Sequence, residues 1–278
     1  MGTLAILLTV HDRKAKTIEC LKRVHDQLPI DGWETDVYLT DDGCTDGTPE
    51  AVSELFPLVN IIQGDGNLFW NRGMRLAWKT AANTKDYDAY LWLNDDTNLL
   101  LNAISVMISA LESEPDSIIV GSTANKNNNI TYGGRLNCKL ILPNGELQRC
   151  NTFNGNCVLV SRYAFSKIGN LDNAYSHSLG DIDYGLCAAR LDIKVYVAPV
   201  VIGYCEKNPL PPKWMRPELS LHERYKALFT PLAYTNPPEY FHFKRKHWGV
   251  FTACLAMCSI TLHLLAPKLW QNIKYTHG

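Results

Sequence analysis

The sequence lacks a marked excess of either charge. It has 27 Lys and Arg against 28 Asp and Glu, a formal net charge of −1 at pH 7. Proteins that bind nucleic acid through its phosphates usually present a strong positive field, so we expect no nucleic-acid partner. The 278 residues are 46% hydrophobic, which is enough to bury a sizeable core.

The cysteines lack any regular spacing, and the chain lacks repeats and low-complexity segments. There are nine cysteines, with neither a CxxC pair nor a zinc-ligand spacing. An odd, scattered set of this kind favours reduced thiols in a cytosolic protein. The apolar run Leu4–Val10 has no basic region before it and is followed by Asp12. We therefore expect a first strand there rather than a signal peptide.

Short apolar runs alternate with segments of helical periodicity along the first 200 residues or so. The apolar runs predict strands over residues 4–10, 35–40, 59–63, 89–93, 117–121, 157–161 and 194–198. The helical spacing predicts helices over residues 14–28, 69–82, 98–111, 162–168 and 181–190, and another from Thr48. Asn144-Gly145 predicts a hairpin. This alternation is typical of an α/β fold with a Rossmann-like, mostly parallel central sheet flanked by helices.

The predicted strand at 89–93 is followed by three polar residues, Asn94, Asp95 and Asp96. Ligands of open α/β sheets lie beyond the carboxyl ends of the strands. Adjacent carboxylates repel each other unless a proton or a cation joins them. Their oxygens suit Mn²⁺ or Mg²⁺, which keep positions open for substrate phosphates. The alternative is that Asp96 or Thr97 caps a helix that begins near Asn98.

Two loops in the first half carry polar residues suited to a nucleotide. Asp41–Thr48 follows a strand and opens a helix, and it fails as a calcium loop because the bidentate Glu is missing from its twelfth position. At a strand end, Asp41 and Asp42 can accept hydrogen bonds from a base or a ribose, which we favour over turn chemistry alone. Asn67 and Asn71 lie in a glycine-containing stretch near a helix start, where phosphate binding is favourable.

The second half of the chain contains a candidate general base. Asn154-Gly155-Asn156 precedes Gly180-Asp181-Ile182-Asp183, whose acids lie at a predicted helix start. Capping of that helix explains one acid. A second acid there, after a His-containing loop, indicates a general base beside a pocket.

In this order and spacing, the motifs between Leu4 and Pro199 resemble those of bacterial family 2 glycosyltransferases. These are the inverting GT-A group, and the resemblance is to enzymes that build surface polysaccharides such as lipopolysaccharide or capsule. Thr9-Val10-His11-Asp12-Arg13 is similar to the family's opening strand motif, which lies over the nucleotide base. Asp41–Thr48 resembles its Asp-Asp-Gly-Ser-x-Asp-Gly-Thr, and Asn94-Asp95-Asp96 resembles its DxD motif for metal and diphosphate.

The resemblance implies a GT-A fold and a sugar transfer with inversion. The donor would be a nucleotide-diphosphate sugar of UDP or dTDP type, and the acceptor a glycan or a lipid-linked glycan. Asp181 would be the catalytic base, and Asp96, assisted by Asn94 or Asp95, would bind Mn²⁺ or Mg²⁺. With the residues argued above, the expected nucleotide-sugar site comprises Thr9, Val10, His11, Arg13, Asp41, Asp42, Asn67, Asn71, Asn94, Asp95, Asp96, Asn154 and Gly155.

Some positions depart from the family pattern. Cys44 replaces Ser, Gly180 replaces Glu, and Trp70 stands where many relatives carry Arg. Many relatives also complete the metal site with a His shortly after the last strand. That place falls near Cys205-Glu206, and either side chain is a candidate third ligand.

Two other functions are compatible with parts of the sequence. A catalytically impaired protein that only binds sugars or nucleotide sugars would keep this fold. Gly180 and the missing His favour that reading, whereas Asp96 and Asp181 argue against it. A sugar-phosphate nucleotidyltransferase uses a related sheet but needs an N-terminal glycine-rich loop, and Thr9–Lys16 contains no glycine.

The C-terminal segment lacks acidic residues. From Tyr240 onward there are five Lys and Arg, and an apolar stretch at 248–266 follows Lys244-Arg245-Lys246-His247. Its few polar residues share one helical face, which favours an amphipathic helix in the membrane surface over a core helix or a span. We therefore expect a catalytic domain at 1–235, with a nucleotide half at 1–97 and an acceptor half at 98–205. Residues 236–278 would attach it peripherally to the cytoplasmic face of the cell membrane.

Overall fold

The computed structural model describes residues 1–207 and 212–270. Its strands are β1 Gly2–Val10, β2 Trp33–Asp41, β3 Val59–Gln63, β4 Ala89–Leu93, β5 Asn98–Leu99, β6 Ile118–Ala124, β7 Ile130–Tyr132, β8 Gly134–Leu136, β9 Lys139–Leu140, β10 Gln148–Arg149, β11 Thr152–Phe153, β12 Cys157–Ser161 and β13 Val195–Tyr204. Its α-helices are α1 Lys14–His25, α2 Thr48–Leu55, α3 Phe69–Thr84, α4 Ala103–Ser113, α5 Arg162–Ile168, α6 Gly180–Arg190, α7 Leu221–Leu228 and α8 Pro237–Leu265. Lys213–Met215 and Pro267–Trp270 are 3₁₀ helices.

A ten-stranded sheet forms the centre of the molecule, in the order β10-β13-β6-β12-β4-β1-β2-β3, with β5 beside β13 and β7 beside β6. The strands β3, β2, β1 and β4 are parallel to one another. β12 runs antiparallel between β4 and β6 and joins the two halves. Strands β11, β8 and β9 form a small second sheet. The predicted α/β architecture with a mostly parallel central sheet is therefore confirmed.

The core lies on both faces of the sheet, and β4 shows why. All five of its residues are buried. Leu91 and Leu93 face one apolar cluster, whereas Tyr90 and Trp92 face the other, as the two-residue period of a strand requires. Because both faces are covered, the polar residues that follow β4 emerge at the carboxyl edge of the sheet.

The helix predicted to start near Asn98 is wrong. Asn98 and Leu99 form a short strand that pairs with Tyr204 and Gly203 of β13, so neither Asp96 nor Thr97 caps a helix. Strand pairing satisfies backbone groups that a helix start would leave without partners. Helix α4 begins only at Ala103.

The hairpin predicted at Asn144-Gly145 is also wrong. The strands on either side of this turn do not pair with each other, because β9 pairs with β8 and β10 pairs with β13. Instead, the Gly145 N–H donates to the Pro199 carbonyl at 2.9 Å. The turn is therefore held by β13.

Helix α8 is interrupted at Gly249, whose φ of 86° and ψ of 169° are not helical. The residues before this kink contact α6. Arg190 of α6 donates from Nη2 to the carbonyl oxygens of Lys246 and His247 at 2.9 and 2.8 Å. It thereby satisfies two of the carbonyls that the interrupted helix leaves open.

The part of α8 beyond the kink packs on α7 and the first 3₁₀ helix through one small apolar cluster, built from Trp214, Leu228, Ile260 and Leu264. Its opposite face is open, with Phe251 74% exposed and Leu262 57% exposed. Among the described residues, α8 is long and apolar enough to cross a membrane by length and composition, with a mean hydropathy of 1.7 over an 18-residue window. Residues 236–278, predicted to attach the protein to the membrane, are called the tail below. Its residues 271–278 lie outside the described residues.

Candidate active site

A cavity of about 1420 Å³ opens at the carboxyl edge of the sheet and is bounded by both halves of the chain. Most of the predicted site residues line it, namely Thr9, Val10, His11, Arg13, Asp42, Asn94, Asp95, Asp96, Asn154, Gly155, Asp181 and Cys205. Asp41, Asn67, Asn71 and Glu206 are not among the lining residues. Residues distant in sequence are thus brought to one place. The strands β1, β2 and β4 end at this edge of the sheet, and α6 begins there.

Arg13 joins the two acids at the end of β4. Its Nη1 lies 3.0 Å from Asp95 Oδ1, and its Nη2 donates to Asp96 Oδ2. Burial lowers the pKa of the Arg13 guanidinium, but attraction to both carboxylates outweighs burial and raises it overall. Burial raises the pKa of Asp95 to about 6, against the lowering effect of Arg13. The cation that the adjacent carboxylates require is therefore supplied here by a side chain.

Asn94 and Cys205 flank this acid pair in different ways. The Asn94 Oδ1, which was expected to assist the metal, accepts a hydrogen bond from Trp70 Nε1 at 2.7 Å, so the indole uses one of its two lone pairs. The Cys205 Sγ lies 3.7 Å from Asp96 Oδ1. Glu206 accepts instead from the Lys126 N–H at 3.1 Å. Of the two candidate third ligands, Cys205 is therefore the one beside Asp96.

Asp42 organises the loop between β3 and α3. Its carboxylate accepts hydrogen bonds from the backbone N–H groups of Gly66, Leu68 and Phe69 at 2.8 to 3.1 Å. Asp41 accepts from the Cys44 N–H at 2.8 Å. Both acids are buried, and the N–H groups that they bind belong to loop backbone. Direct contact of Asp41 and Asp42 with a nucleotide stays a prediction.

Asn71 fixes the approach of α3 to the start of α6. This buried side chain donates from Nδ2 to the carbonyls of Asp172 and Tyr175 at 2.9 and 2.8 Å. A Cβ at Gly180 would lie only 1.7 Å from Asn71 Oδ1. Gly180 therefore stands where a Glu would be expected because no side chain fits between the two helices.

Asp181 projects into the cavity from the first turn of α6. Its Oδ2 accepts from the Gly155 N–H at 2.9 Å and its Oδ1 from the Ile182 N–H at 2.8 Å. Burial raises the pKa of this carboxyl, although both N–H groups act in the opposite direction. Asp181 is thus a held carboxylate with raised basicity, which suits a general base.

The model of the glycosyl transferase family 2 matches residues 5–169, more than half of the chain. The chain belongs to glycosyl transferase family 2. A comparison with curated proteins finds no match.

Solved structures similar to this family 2 chain share its fold at low sequence identity. The S. aureus protein TarS, residues 1–349 in complex with UDP-GlcNAc, has a TM-score of 0.62 and 11% identity over 100% of this chain and 93% of that one. The mannosyltransferase PcManGT from Pyrobaculum calidifontis, in complex with GDP-Man and Mn²⁺, has a TM-score of 0.57 and 15% identity over 98% of this chain and 87% of that one. At such identities the likeness shows the GT-A fold alone.

The residues of this family 2 chain fit a divalent ion held mainly by Asp96. Its side chain is 25% exposed at the cavity, and Mg²⁺ or Mn²⁺ often binds through one or two carboxylates together with substrate phosphates. Burial, followed by the nearby Asp96, raises the pKa of the Cys205 thiol to about 12. A protonated thiol is a poor ligand for a hard cation. The fit therefore rests on oxygen ligands rather than on Cys205.

Two further groups of side chains have metal-ligand spacing, Asp12-Cys44-Asp46 and Asp183-Cys187-His247. In the first, the acids already accept hydrogen bonds from Thr45, Lys14 and Thr48. In the second, Lys246 Nζ donates to Asp183 Oδ2 at 2.7 Å. An ammonium group already supplies the positive charge there.

Part of the cavity wall of this family 2 chain was not predicted from the sequence. Arg135 lines it from β8, and Tyr240, Phe243, Lys244 and Trp248 line it from α8. The sequence offers a weak signal for Arg135, which follows the Gly133-Gly134 turn. The tail residues are missed because their apolar and basic pattern indicates a lipid surface equally well.

Proposed function

We propose that this chain is an inverting glycosyltransferase. It transfers a sugar from a nucleotide-diphosphate sugar, of UDP or dTDP type, to a hydroxyl group of a glycan or lipid-linked glycan. The observation that carries the proposal is the Asp181 carboxylate, held by two N–H groups in the same cavity as the acidic end of β4. The fold shared with proteins solved with GDP-Man and UDP-GlcNAc supports a nucleotide-sugar donor.

Asp181 acts on the acceptor. Each of its oxygens accepts one backbone N–H and keeps capacity for a further hydrogen bond, so it can receive a hydroxyl proton. As the proton moves to Asp181, the acceptor oxygen bonds to the anomeric carbon and the bond to the diphosphate breaks. One displacement of this kind inverts the anomeric configuration and needs no covalent sugar–enzyme bond.

The β4 edge acts on the donor. Asp96 would hold the divalent ion, which when bound neutralises charge on the leaving diphosphate. Arg13 holds Asp95 and Asp96 side by side, so their mutual repulsion does not distort the edge before substrate arrives. Thr9 and His11 line the same cavity and would contact the base of the nucleotide.

Purified protein incubated with a panel of UDP- and dTDP-sugars, Mn²⁺ and candidate acceptors tests the proposal. We expect nucleotide release that depends on the acceptor, and a product whose anomeric proton coupling in NMR shows inversion. A product of retained configuration would overturn the inverting mechanism. Nucleotide-sugar binding without turnover of any donor, including hydrolysis, would favour the catalytically impaired binding protein.

Peripheral attachment to the cytoplasmic membrane face is part of the proposal. Beyond Gly249, residues 250–265 form a helical segment of about 24 Å at 1.5 Å per residue. That length is short of the roughly 30 Å hydrocarbon core, whereas its exposed apolar face suits a helix lying in the interface. Such attachment would present the cavity to a lipid-linked acceptor, as synthesis of lipopolysaccharide or capsule would require.

A further inference from the structure

We propose that Arg135 binds an anionic phosphate group of the acceptor, between the sugar that reacts and an apolar lipid portion. The inference rests on the proposed glycosyl transfer and adds the chemical class of its acceptor. It depends on three observations: the position of Arg135 relative to the proposed catalytic base Asp181, the partners of its guanidinium, and the aromatic residues that line the cavity near it.

The loop of residues 154–156 establishes the position of Arg135. The Asn156 carbonyl accepts from the N–H of Asn94 at 2.9 Å. Asn94 belongs to the edge proposed to bind the nucleotide-sugar donor. The Gly155 N–H binds the Asp181 carboxylate, and the Asn154 Oδ1 accepts from Arg135 Nη1 at 2.6 Å. Asn156, Gly155 and Asn154 therefore contact, in that order, the end of β4, Asp181 and Arg135. Along this loop Arg135 is next to the contact with Asp181, and Asp181 is the acid of the cavity whose charge acts on its guanidinium.

Arg135 is a half-buried cation without a carboxylate partner. Among residues 1–207 and 212–270, no Asp or Glu forms an ion pair with it, in contrast to Arg13. Burial lowers the pKa of its guanidinium. The charge of Asp181, which is not in ion-pair contact, acts in the opposite direction. Lining a cavity with an unpaired charge costs stability unless a ligand supplies the counter-charge. A guanidinium with several free N–H groups matches the oxygens of a phosphate.

Beyond Arg135 the cavity wall becomes aromatic and leads to the tail. Tyr234, Tyr240, Phe243 and Trp248 line it. Their rings follow one another in that order, with neighbouring centroids 6.3, 6.3 and 5.5 Å apart. Lys244 lies 4.6 Å from the Trp248 ring centroid and adds a second positive charge at this end. Trp248 is 49% exposed, next to the open apolar face of residues 250–265. An acceptor in this groove would have its hydroxyl at Asp181, its anion at Arg135 and its apolar chain along the tail.

An acidic sugar would present a carboxylate to the same guanidinium, so the experiment separates the two sources. The full-length protein is first saturated with UDP and Mn²⁺, so that the donor diphosphate position is filled. Binding of decyl diphosphate, decyl β-glucuronide and the neutral decyl β-maltoside is then measured by calorimetry. We expect decyl diphosphate to bind at least about 10-fold more tightly than the other two.

In Arg135→Met we expect decyl-diphosphate affinity to fall by about 10-fold or more, with UDP and decyl-maltoside affinities unchanged. Arg135→Lys should keep part of the affinity, and it serves if the methionine variant folds poorly. The matched control is Arg149→Met, which removes an arginine that lies over the Tyr196 ring, outside the cavity.

Unchanged decyl-diphosphate binding in Arg135→Met would overturn the inference, as would an equal loss of UDP affinity, which would assign Arg135 to the donor. Tighter binding of the glucuronide than of decyl diphosphate would also overturn it, because Arg135 would then bind a carboxylate and not a phosphate. Failure of the protein to bind any nucleotide would count against the proposed transfer, whereas UDP binding without Arg135-dependent anion binding counts against this inference alone.

Discussion

Lys246 of the tail donates from Nζ to Asp183 Oδ2 at 2.7 Å and to Asp172 Oδ2 at 2.9 Å. Asp183 is 4% exposed and lies two residues after Asp181 on α6. His247, with a side chain 2% exposed, adds a contact from Nε2 to Asp183 Oδ1 at 2.7 Å. Two of the basic residues expected to face lipid are therefore turned inward. The tail is fastened to the helix that carries the proposed base.

Replacement of Lys246 by Met should loosen this attachment. Removing one partner of a largely buried ion pair leaves the Asp183 charge poorly compensated, and we expect a loss of about 3 kcal/mol in the free energy of unfolding. Chemical denaturation of Lys246→Met beside Arg245→Met, whose native side chain is exposed, measures the difference. Equal stability of the two variants would contradict a structural role for this ion pair.

The same cluster predicts a loss of stability in acid. Burial alone would raise the pKa of Asp172, but hydrogen bonds from the Ala174 N–H, Lys246 and His242 lower it to about 2, below its ordinary 3.8. The unfolded chain then binds more protons between these values, so stability falls as pH decreases from about 4 to 2. Melting temperatures across this range should fall less steeply for Lys246→Met than for the native protein. Parallel curves would refute the contribution of the pair.

Arg13 and a divalent ion should compete for the same carboxylates. We expect Arg13→Met to bind Mn²⁺ in the absence of nucleotide about 10-fold more tightly than the native protein, because the internal counter-charge is gone. Calorimetric titration with MnCl₂ measures this. Lys16→Met is the control, since its ammonium lies farther from Asp96 Oδ2, at 3.8 Å. Weaker Mn²⁺ binding in Arg13→Met would show that Arg13 supports the ion instead.

Asp181→Asn keeps the size of the side chain but removes its ability to take a proton. We expect kcat to fall by at least ~10² with donor affinity nearly intact, whereas Asp116→Asn on the surface should behave as the native enzyme. Because burial raises the pKa of Asp181 above its ordinary 3.8, kcat/KM of the native enzyme should decline in acid with a midpoint above that value. Loss of donor binding in Asp181→Asn would leave Asp181 a structural residue.

The sequence predicted most strands of the central sheet because they are short apolar runs, several of them buried on both faces, as at β4. It predicted the cavity residues at strand ends for the same reason. It did not predict the pairing of Arg13 with Asp96, which lie 83 residues apart, since charge alone does not identify partners. Nor did it predict the kink at Gly249, because glycine is tolerated inside many helices. The sequence also did not predict that Lys246 of the tail contacts protein, because its partner Asp183 lies 63 residues away along the chain.

The open face of the tail predicts binding to anionic lipid vesicles. Phe251 is 74% exposed, and burying such a side chain contributes roughly 1.5–3 kcal/mol. We expect Phe251→Asp to reduce partition into phosphatidylglycerol-containing vesicles by about 10-fold or more in a flotation assay. Leu58→Asp is the matched control, since Leu58 is 86% exposed on the loop before β3, distant in sequence from the tail. Full binding by Phe251→Asp, or an equal loss in Leu58→Asp, would show that this face does not contact the membrane. Resistance of the native protein to carbonate extraction would instead indicate a span, in conflict with the short segment beyond Gly249.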